Sequence, residues 1–327
     1  MKFVLGVDAG ASKTLALVAE TSGCVRGFGR AGPGNHQTVG LENALFSVRK
    51  ACEAALAQAE VRGPVELGVF GLAGADLPED FARLMPAVEK LALAHRVRVE
   101  NDTIVALRAG ASRSWGVVVV CGTGFNAAGI APDGRVFRLP ALGWISGDWG
   151  GGMDIAREAI KSVARAWDGR GKSTRLTSLV LHALGVPSEE EMIRALYRGD
   201  IPEEKLLGLV PVVFEAACQG DSVAQSIILR LGEEVGLAAT AVIKKLGLEN
   251  MDVEVVLAGG VFKGKGPFLV DVVEKFVHRV APQARIVLPK FAPVVGAVLL
   301  ALEEVEGGIR LDVFERLEAT IPRDLKG

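Results

Sequence analysis

A carboxylate, a glycine, two hydroxyls and an ammonium crowd one short run near the start of the chain, Asp8-Ala-Gly10-Ala11-Ser12-Lys13-Thr14. Asp8 can bind a Mg²⁺ shell through water, and Gly10 lets backbone N–H groups come close to a ligand. The Ser12 and Thr14 hydroxyls and the Lys13 ammonium are donors suited to phosphate oxygens. The spacing G-x-x-x-x-G-K-[ST] is absent, so the run is no P-loop. Phe3 to Val7 reads as a buried strand and Leu15 to Ala19 as a second apolar run, which puts this chemistry at the tip of a hairpin. An ordinary hairpin with a polar tip fits the same residues.

The pattern echoes further along. Gly116-Val-Val-Val-Val-Cys121 is another buried-strand run, followed by Gly122-Thr123-Gly124 and a resumed apolar pattern from Phe125. Val253–Ala258 runs into Gly259-Gly260-Val261. Strand-then-glycine turns of this kind, about half a chain apart, predict two related halves with a nucleotide between them.

Two further carboxylates sit where strands or turns give way to helices. Asp102, in Glu100-Asn-Asp102-Thr103, lies just beyond the C-terminal end of a short strand, in the crevice where α/β sheets bind ligands. There it can take a proton from a hydroxyl; alternatively, Asp102 or Thr103 is only the N-cap of a helix over Ile104–Ala111. Asp148, in Gly147-Asp148-Trp149-Gly150, stands between a turn and a helix start, again a capping position.

The elements that must position these groups follow a repeated order. In the first half, three strands, a helix from Leu41, a strand over Glu66–Leu72, a helix from about Glu79, a strand over Arg96–Glu100 and a helix are predicted. The second half has strands at Val117–Cys121, Asn126–Ala131 and Arg135–Leu139, then a helix from about Met153 to Trp167. Residues 173–247 read as almost wholly helical, with breaks at Gly185–Pro187, Gly199–Pro202 and Gly220-Asp221. A strand at 253–258, a helix at 267–279, a strand at Arg285–Leu288 and an amphipathic helix from Pro293 follow, and the charged tail Glu303–Gly327 stays unassigned. The expected organisation is α/β, with one domain over 1–113 and a second over 114–327. A helical insertion spans about 153–247, and the last helix, from about 293, packs back on the first domain.

Composition bounds the function. Half of the 327 residues are hydrophobic and the net charge is −2, which argues against a nucleic-acid binder with its basic face. No apolar run is long enough to span a membrane, and Met1-Lys2 leads straight into a strand, so neither a membrane segment nor a signal peptide is expected. Cys24, Cys52, Cys121 and Cys218 are scattered without a C-x-x-C pair. Disulfide frameworks and metal clusters are therefore not expected, and a reducing cytoplasm is the simplest setting.

The segments Asp8–Thr14, Gly122–Asn126 and Gly259–Val261 resemble the first phosphate, second phosphate and adenosine motifs of the actin/hexokinase/Hsp70 superfamily. Within it the chain resembles the N-acetylglucosamine kinase and BadF/BadG/BcrA/BcrD branch, over nearly its whole length. The resemblance implies two ribonuclease-H-like, actin-like ATPase domains around a cleft. It also implies ATP and Mg²⁺ as cofactors, a small-molecule sugar as substrate and a homodimer.

Residue by residue, it implies that Gly10, Ala11, Ser12, Lys13, Thr14, Gly122, Thr123, Gly124, Gly259, Gly260 and Val261 hold the nucleotide, and that Asp8 serves the metal. Asp102 becomes the base that receives the hydroxyl proton of an amino sugar, most simply the 6-hydroxyl of N-acetylglucosamine. Asn35, Gly74, Ala75, Trp144 and Asp148 join Asp102 on the sugar. Gly147-Asp148 matches the family's G-D-E-G-S segment, but Trp149 stands in place of its Glu and Gly151 in place of its Ser. That departure leaves glucosamine, N-acetylmuramic acid and glucose as alternative substrates, and a Trp beside the site could stack on a pyranose ring.

Related folds with other functions fit less well. BadF-type activators hold an iron–sulfur cluster through cysteines that must lie close together, which these positions do not offer. Sugar-responsive repressors carry an N-terminal helix-turn-helix, whereas here the first strand begins at residue 3. A filament or chaperone ATPase has no use for the sugar-side carboxylate.

Overall fold

The structure, a computed structural model, describes residues 2–264 and 268–326, with Glu204 in its backbone only. Pro267, within the helix predicted for 267–279, lies outside the described residues. Each half is built on a five-stranded sheet. In the first, β1 (Phe3–Ala9), β2 (Thr14–Glu20) and β3 (Val25–Ala31) form an antiparallel meander. Helices α1 (His36–Val39) and α2 (Leu41–Gln58) lead to β4 (Val65–Leu72), then α3 (Pro78–Glu89), β5 (Ala94–Asn101) and α4 (Asp102–Gly110). β4 joins β1 in parallel and β5 joins β4, for an order of β3-β2-β1-β4-β5.

The second half repeats this plan. β6 (Gly116–Cys121), β7 (Phe125–Ile130) and β8 (Val136–Arg138) are its meander. Between β8 and the next strand come α5 (Gly152–Trp167), α6 (Leu176–Leu184), α7 (Glu189–Arg198), α8 (Glu203–Leu207), α9 (Leu209–Cys218) and α10 (Ser222–Leu246). Then follow β9 (Glu254–Ala258), α11 (Phe268–His278), β10 (Arg285–Val287), α12 (Pro293–Glu306) and α13 (Leu311–Thr320). The order β10-β9-β6-β7-β8 has the same connectivity as the first sheet read in reverse. The parallel pairs place the C-terminal ends of β1, β4, β5, β6 and β9 along shared edges, where crossing loops can converge.

Apolar runs explain the layers. Every residue of β2 is buried, as expected for a central strand covered on both faces. Leu5, Val7 and Leu17 are fully buried, each such burial contributing about 1.5–3 kcal/mol. A hairpin anchored this firmly at its base can carry a polar tip. On the opposite face α12 presses against α4 so closely that a Cβ at Gly296 would lie 1.9 Å from the Val105 carbonyl oxygen. Val294, Val295, Val298 and Leu302 of α12 share a core with Leu15, Leu17 and Leu67 of the first sheet and with Val118 and Val256 of the second. No helix among the described residues is long and apolar enough to cross a membrane.

Three local expectations differ from what is observed. Helix α4 begins at Asp102 and is capped by Asn101, whose side chain accepts the N–H of Thr103, so neither Asp102 nor Thr103 is the cap. The helical stretch has a further division at Gly208, which keeps helical dihedrals of φ −61° and ψ −14° and therefore leaves no turn signature. The charged tail is ordered through Lys326: α13 buries Val313 and Leu317, Thr320 Oγ1 accepts the Val25 N–H at 2.9 Å, and Phe291 pairs with Lys326.

Candidate active site

The β1–β2 turn closes on a Gly10 N–H to Lys13 carbonyl hydrogen bond of 2.9 Å. That turn presents Gly10, Ala11 and Ser12 to a cavity of about 260 Å³. Thr14 points the other way, buried, with its hydroxyl donating to the Gly32 carbonyl at 2.9 Å. It fixes the hairpin to the next loop, and the Gly34 N–H donates to the Gly10 carbonyl at 2.9 Å as a second tie. From that loop Asn35 and Gln37 line the cavity, Asn35 also capping α1 by accepting the Gln37 N–H at 2.9 Å.

Behind them the turn after β4 carries a polar network. Asn101 Nδ2 donates to the Ala75 carbonyl and to Asp76 Oδ1, both at 3.0 Å. Gln37 Nε2 lies 3.3 Å from the Gly74 carbonyl and from Asp76 Oδ2. Arg138, from β8 of the second sheet, donates to the Ala75 carbonyl at 2.8 Å and the Asp76 carbonyl at 3.0 Å. Asp80 Oδ2 accepts the backbone N–H groups of Asp76 and Leu77, while its Oδ1 faces His36 Nε2 at 3.5 Å. These bonds hold Ala73, Gly74, Asp76 and Asp102 on one wall of the cavity.

The electrostatics of that wall are unusual for a surface. Burial pushes the Asp102 carboxyl up to about 6, the charge of Asp76 adds to the rise, and the Thr103 N–H and the Arg138 charge oppose it. Asp8, at the end of β1, is pushed up to about 7, first by burial and then by the charge of Asp102, with Lys13 pulling the other way. Asp76 is itself raised by burial, against the opposing charge of Arg138. At each of these carboxylates burial outweighs the nearby positive charge, Lys13 beside Asp8 and Arg138 beside Asp76 and Asp102.

The opposite wall comes from the second half. The β6–β7 turn supplies Gly122, Thr123, Gly124, Phe125 and Asn126, with Val120 and Ala141 beside them. Helix α5 braces it, since the Gly152 N–H donates to the Gly122 carbonyl at 2.8 Å and the Met153 N–H to the Thr123 carbonyl at 3.2 Å. A Cβ built on Gly122 or Gly124 would meet nothing within 4 Å. The turn therefore offers bare backbone to open space, the shape that phosphate oxygens fit. Among the described residues no cluster of three or more His, Cys, Asp or Glu side chains is set to hold a metal by itself. Asp8, two positions before Gly10, does not itself line the cavity, and a Mg²⁺ brought in on phosphates would offset the burial that raises its carboxyl.

The structure thus brings Gly10, Ala11, Ser12, Asn35, Gly74, Asp102, Gly122, Thr123 and Gly124 to one cavity. Several expected residues besides Asp8 lie off its lining. Lys13 is exposed and Thr14 is spent on Gly32. Ala75 is buried and offers only its carbonyl, already bonded. Gly259 holds φ +108° with its Cα against the Cys121 carbonyl, which keeps Gly259, Gly260 and Val261 beside β6 and off that lining.

Trp144 does not wall the cavity. It is 88% exposed on the short turn Gly143–Ile145. Asp148 closes that turn on itself, accepting from the Ser146 hydroxyl and from the Gly143 N–H at 3.1 Å. Trp149 is no stacking platform here, since its ring carries the Arg230 guanidinium at 4.2 Å and packs on the second core. Gln37, Ala73 and Asp76 also line the cavity, outside every motif the sequence offers. Asp76 had a signal, a carboxylate just past the end of β4, the same sheet edge that marks Asp102.

Comparisons with known proteins identify relatives over nearly the whole chain. The chain is 30% identical over 315 residues to an N-acetylmuramic acid/N-acetylglucosamine kinase of Clostridium acetobutylicum, covering 94% of this chain and 100% of that one. It is 29% identical to an N-acetyl-D-glucosamine kinase of Dictyostelium discoideum, over 91% and 97% of the two chains. A candidate N-acetylglucosamine kinase of Chromobacterium violaceum shares the fold, with a TM-score of 0.71 at 23% identity over 92% and 99% of the two chains. The model of the BadF/BadG/BcrA/BcrD ATPase family matches residues 5–301, and the chain belongs to that family.

Proposed function

We propose that this protein is an ATP-dependent kinase that transfers the γ-phosphoryl group to the 6-hydroxyl of an amino sugar, N-acetylglucosamine first among them. One observation carries the reading: a cavity formed by both halves holds a carboxylate, Asp102, that burial pushes up to about 6, opposite the bare glycine turn Gly122–Gly124. In the proposed reaction the Gly10–Ser12 and Gly122–Gly124 backbones cradle the phosphates, and Asp8 would help hold, through water, a Mg²⁺ supplying their countercharge. The sugar oxygen bonds to the γ-phosphorus as the bond to the ADP oxygen breaks, and Asp102 accepts the hydroxyl proton. Asn35 and Gly74 lie where they can orient the ring. Sugar binding would draw the two halves together, so that water alone does not complete the site.

The curated relatives support an amino sugar, and the fold supports a kinase. ADP release measured by a coupled assay over hexoses and amino sugars tests the proposal. Sugar-dependent ADP release greatest with N-acetylglucosamine is expected. ATP hydrolysis that no sugar stimulates would leave an ATPase without this acceptor.

A further inference from the structure

The polar network under the cavity has a consequence for substrate charge. Among the described residues two acidic side chains, Asp76 and Asp102, line the cavity, and no lysine, arginine or histidine does. Arg138 donates to the neutral Ala75 and Asp76 carbonyls and lies over the Phe81 ring at 5.3 Å, and its charge offsets the two carboxylates only in part, since both stay raised. The Asp76 carboxylate accepts from Asn101 and Gln37, side-chain amides that stabilise its ionised form and fix both oxygens in place. His36 is turned away toward Asp80 at 3.5 Å. A neutral acceptor meets hydroxyl-binding groups on this wall. An acceptor carrying its own carboxylate meets two like charges in a partly dry site, where repulsion is weakly screened.

We infer that Asp76 is a specificity-determining residue that, with Asp102, makes the acceptor site select neutral amino sugars and reject those bearing a carboxylate, N-acetylmuramic acid above all. The inference rests on the kinase reading and narrows it, since one relative is named for both N-acetylmuramic acid and N-acetylglucosamine and another for N-acetylglucosamine alone. The lactyl ether of N-acetylmuramic acid adds bulk as well as charge, so the two must be separated. Its methyl ester keeps the bulk and removes the charge.

Initial rates with N-acetylglucosamine, N-acetylmuramic acid and the methyl ester, at pH 7.5 and low salt, make the test. The ester should have a kcat/KM at least about tenfold above that of the free acid, a ratio expected from one like-charge contact of this kind. Asp76→Asn should shrink that ratio several-fold, whatever it does to the absolute rates. Equal use of acid and ester by the unaltered enzyme overturns the inference while leaving the kinase reading intact. A ratio unchanged in Asp76→Asn removes Asp76 from the selection. If no sugar is phosphorylated, the kinase reading falls and this one falls with it.

Discussion

Arg138 of β8 reaches out of the second sheet to donate to the carbonyl of Ala75, in the turn after β4, at 2.8 Å. The same guanidinium opposes the rise in the Asp102 and Asp76 carboxyls. One side chain therefore ties the halves together and tunes the proposed base. If Asp102 must be ionised to accept a proton, kcat/KM for the sugar should climb with pH through about 6 and level off above it. Arg138→Gln removes a charge that favours the carboxylate, so the acidic limb should move up. Asp76→Asn removes a charge that disfavours it, and the limb should move down. Profiles from pH 5 to 9 check this; a limb at the same pH in all three proteins would detach the rate from Asp102.

Asp102→Asn should lower kcat by on the order of 10²–10⁴-fold with ATP binding retained. It should also stabilise the fold. The folded pKa of about 6 lies above the ordinary 3.8, so the contribution of Asp102 to stability is fully present below 3.8 and is lost as pH rises through about 6. Replacing it should raise Tm at pH 8, by up to on the order of 3 kcal/mol in stability, and leave Tm near its starting value at pH 4. Asp8, raised to about 7, behaves with the same sign over a slightly higher window. Thermal melts at the two pH values, set beside steady-state rates, decide the matter: lost activity with no pH-dependent gain in Tm would point to damage rather than to removal of a base.

The order of strands and helices was legible because apolar runs bounded by glycine have few alternative readings. The Gly116–Cys121 run followed by Gly122-Thr123-Gly124 could hardly be anything but strand and turn. The cavity was legible where it is made of backbone, at Gly10–Ser12 and Gly122–Gly124. It was less so where side chains from distant loops meet. Gln37 and Asp76 are 39 positions apart and acquire meaning only when both converge on one wall. Asp102 and Asn101 illustrate a finer limit. Both residue types cap helices well, and only the geometry shows that Asn101 takes the cap and leaves the Asp102 carboxylate on the cavity wall. Trp144 shows a related limit, because an aromatic next to a glycine turn can face the cavity or the solvent with the same sequence.

Glycines at the two kinds of turn should respond oppositely to a methyl group. Gly124 has open space where a Cβ would go. Gly124→Ala should therefore fold with Tm within a degree or two of the parent, a change of about 0.5 kcal/mol or less. The added methyl should nonetheless weaken ATP binding tenfold or more, by occupying the space proposed for phosphate oxygens. Gly259 combines φ +108° with a Cβ position 2.2 Å from the Cys121 carbonyl oxygen. Gly259→Ala should cost stability, about 1–3 kcal/mol from backbone strain alone. Calorimetry for the nucleotide and thermal melts for the fold separate the two effects. Unaltered ATP affinity in Gly124→Ala would move the phosphates elsewhere.

Closure is the last expectation, and Arg138 makes it measurable. A kinase in water must keep water from receiving the phosphoryl group, and Asp102 alone cannot distinguish water from a sugar hydroxyl. Asn35, Gly74 and Asp102 come from the first half of the chain, and Gly122–Gly124 from the second. A sugar seated among them adds contacts to both walls and so favours the arrangement in which the walls are near. Small-angle scattering should show a smaller radius of gyration with N-acetylglucosamine than without it, and little change with ATP alone. Arg138→Ala loses the bonds to the Ala75 and Asp76 carbonyls, so its unliganded radius should rise above that of the parent and its KM for sugar should increase. Curves that superimpose for the parent with and without saturating sugar would mean that the halves do not move, and the exclusion of water would then have to come from the loops alone.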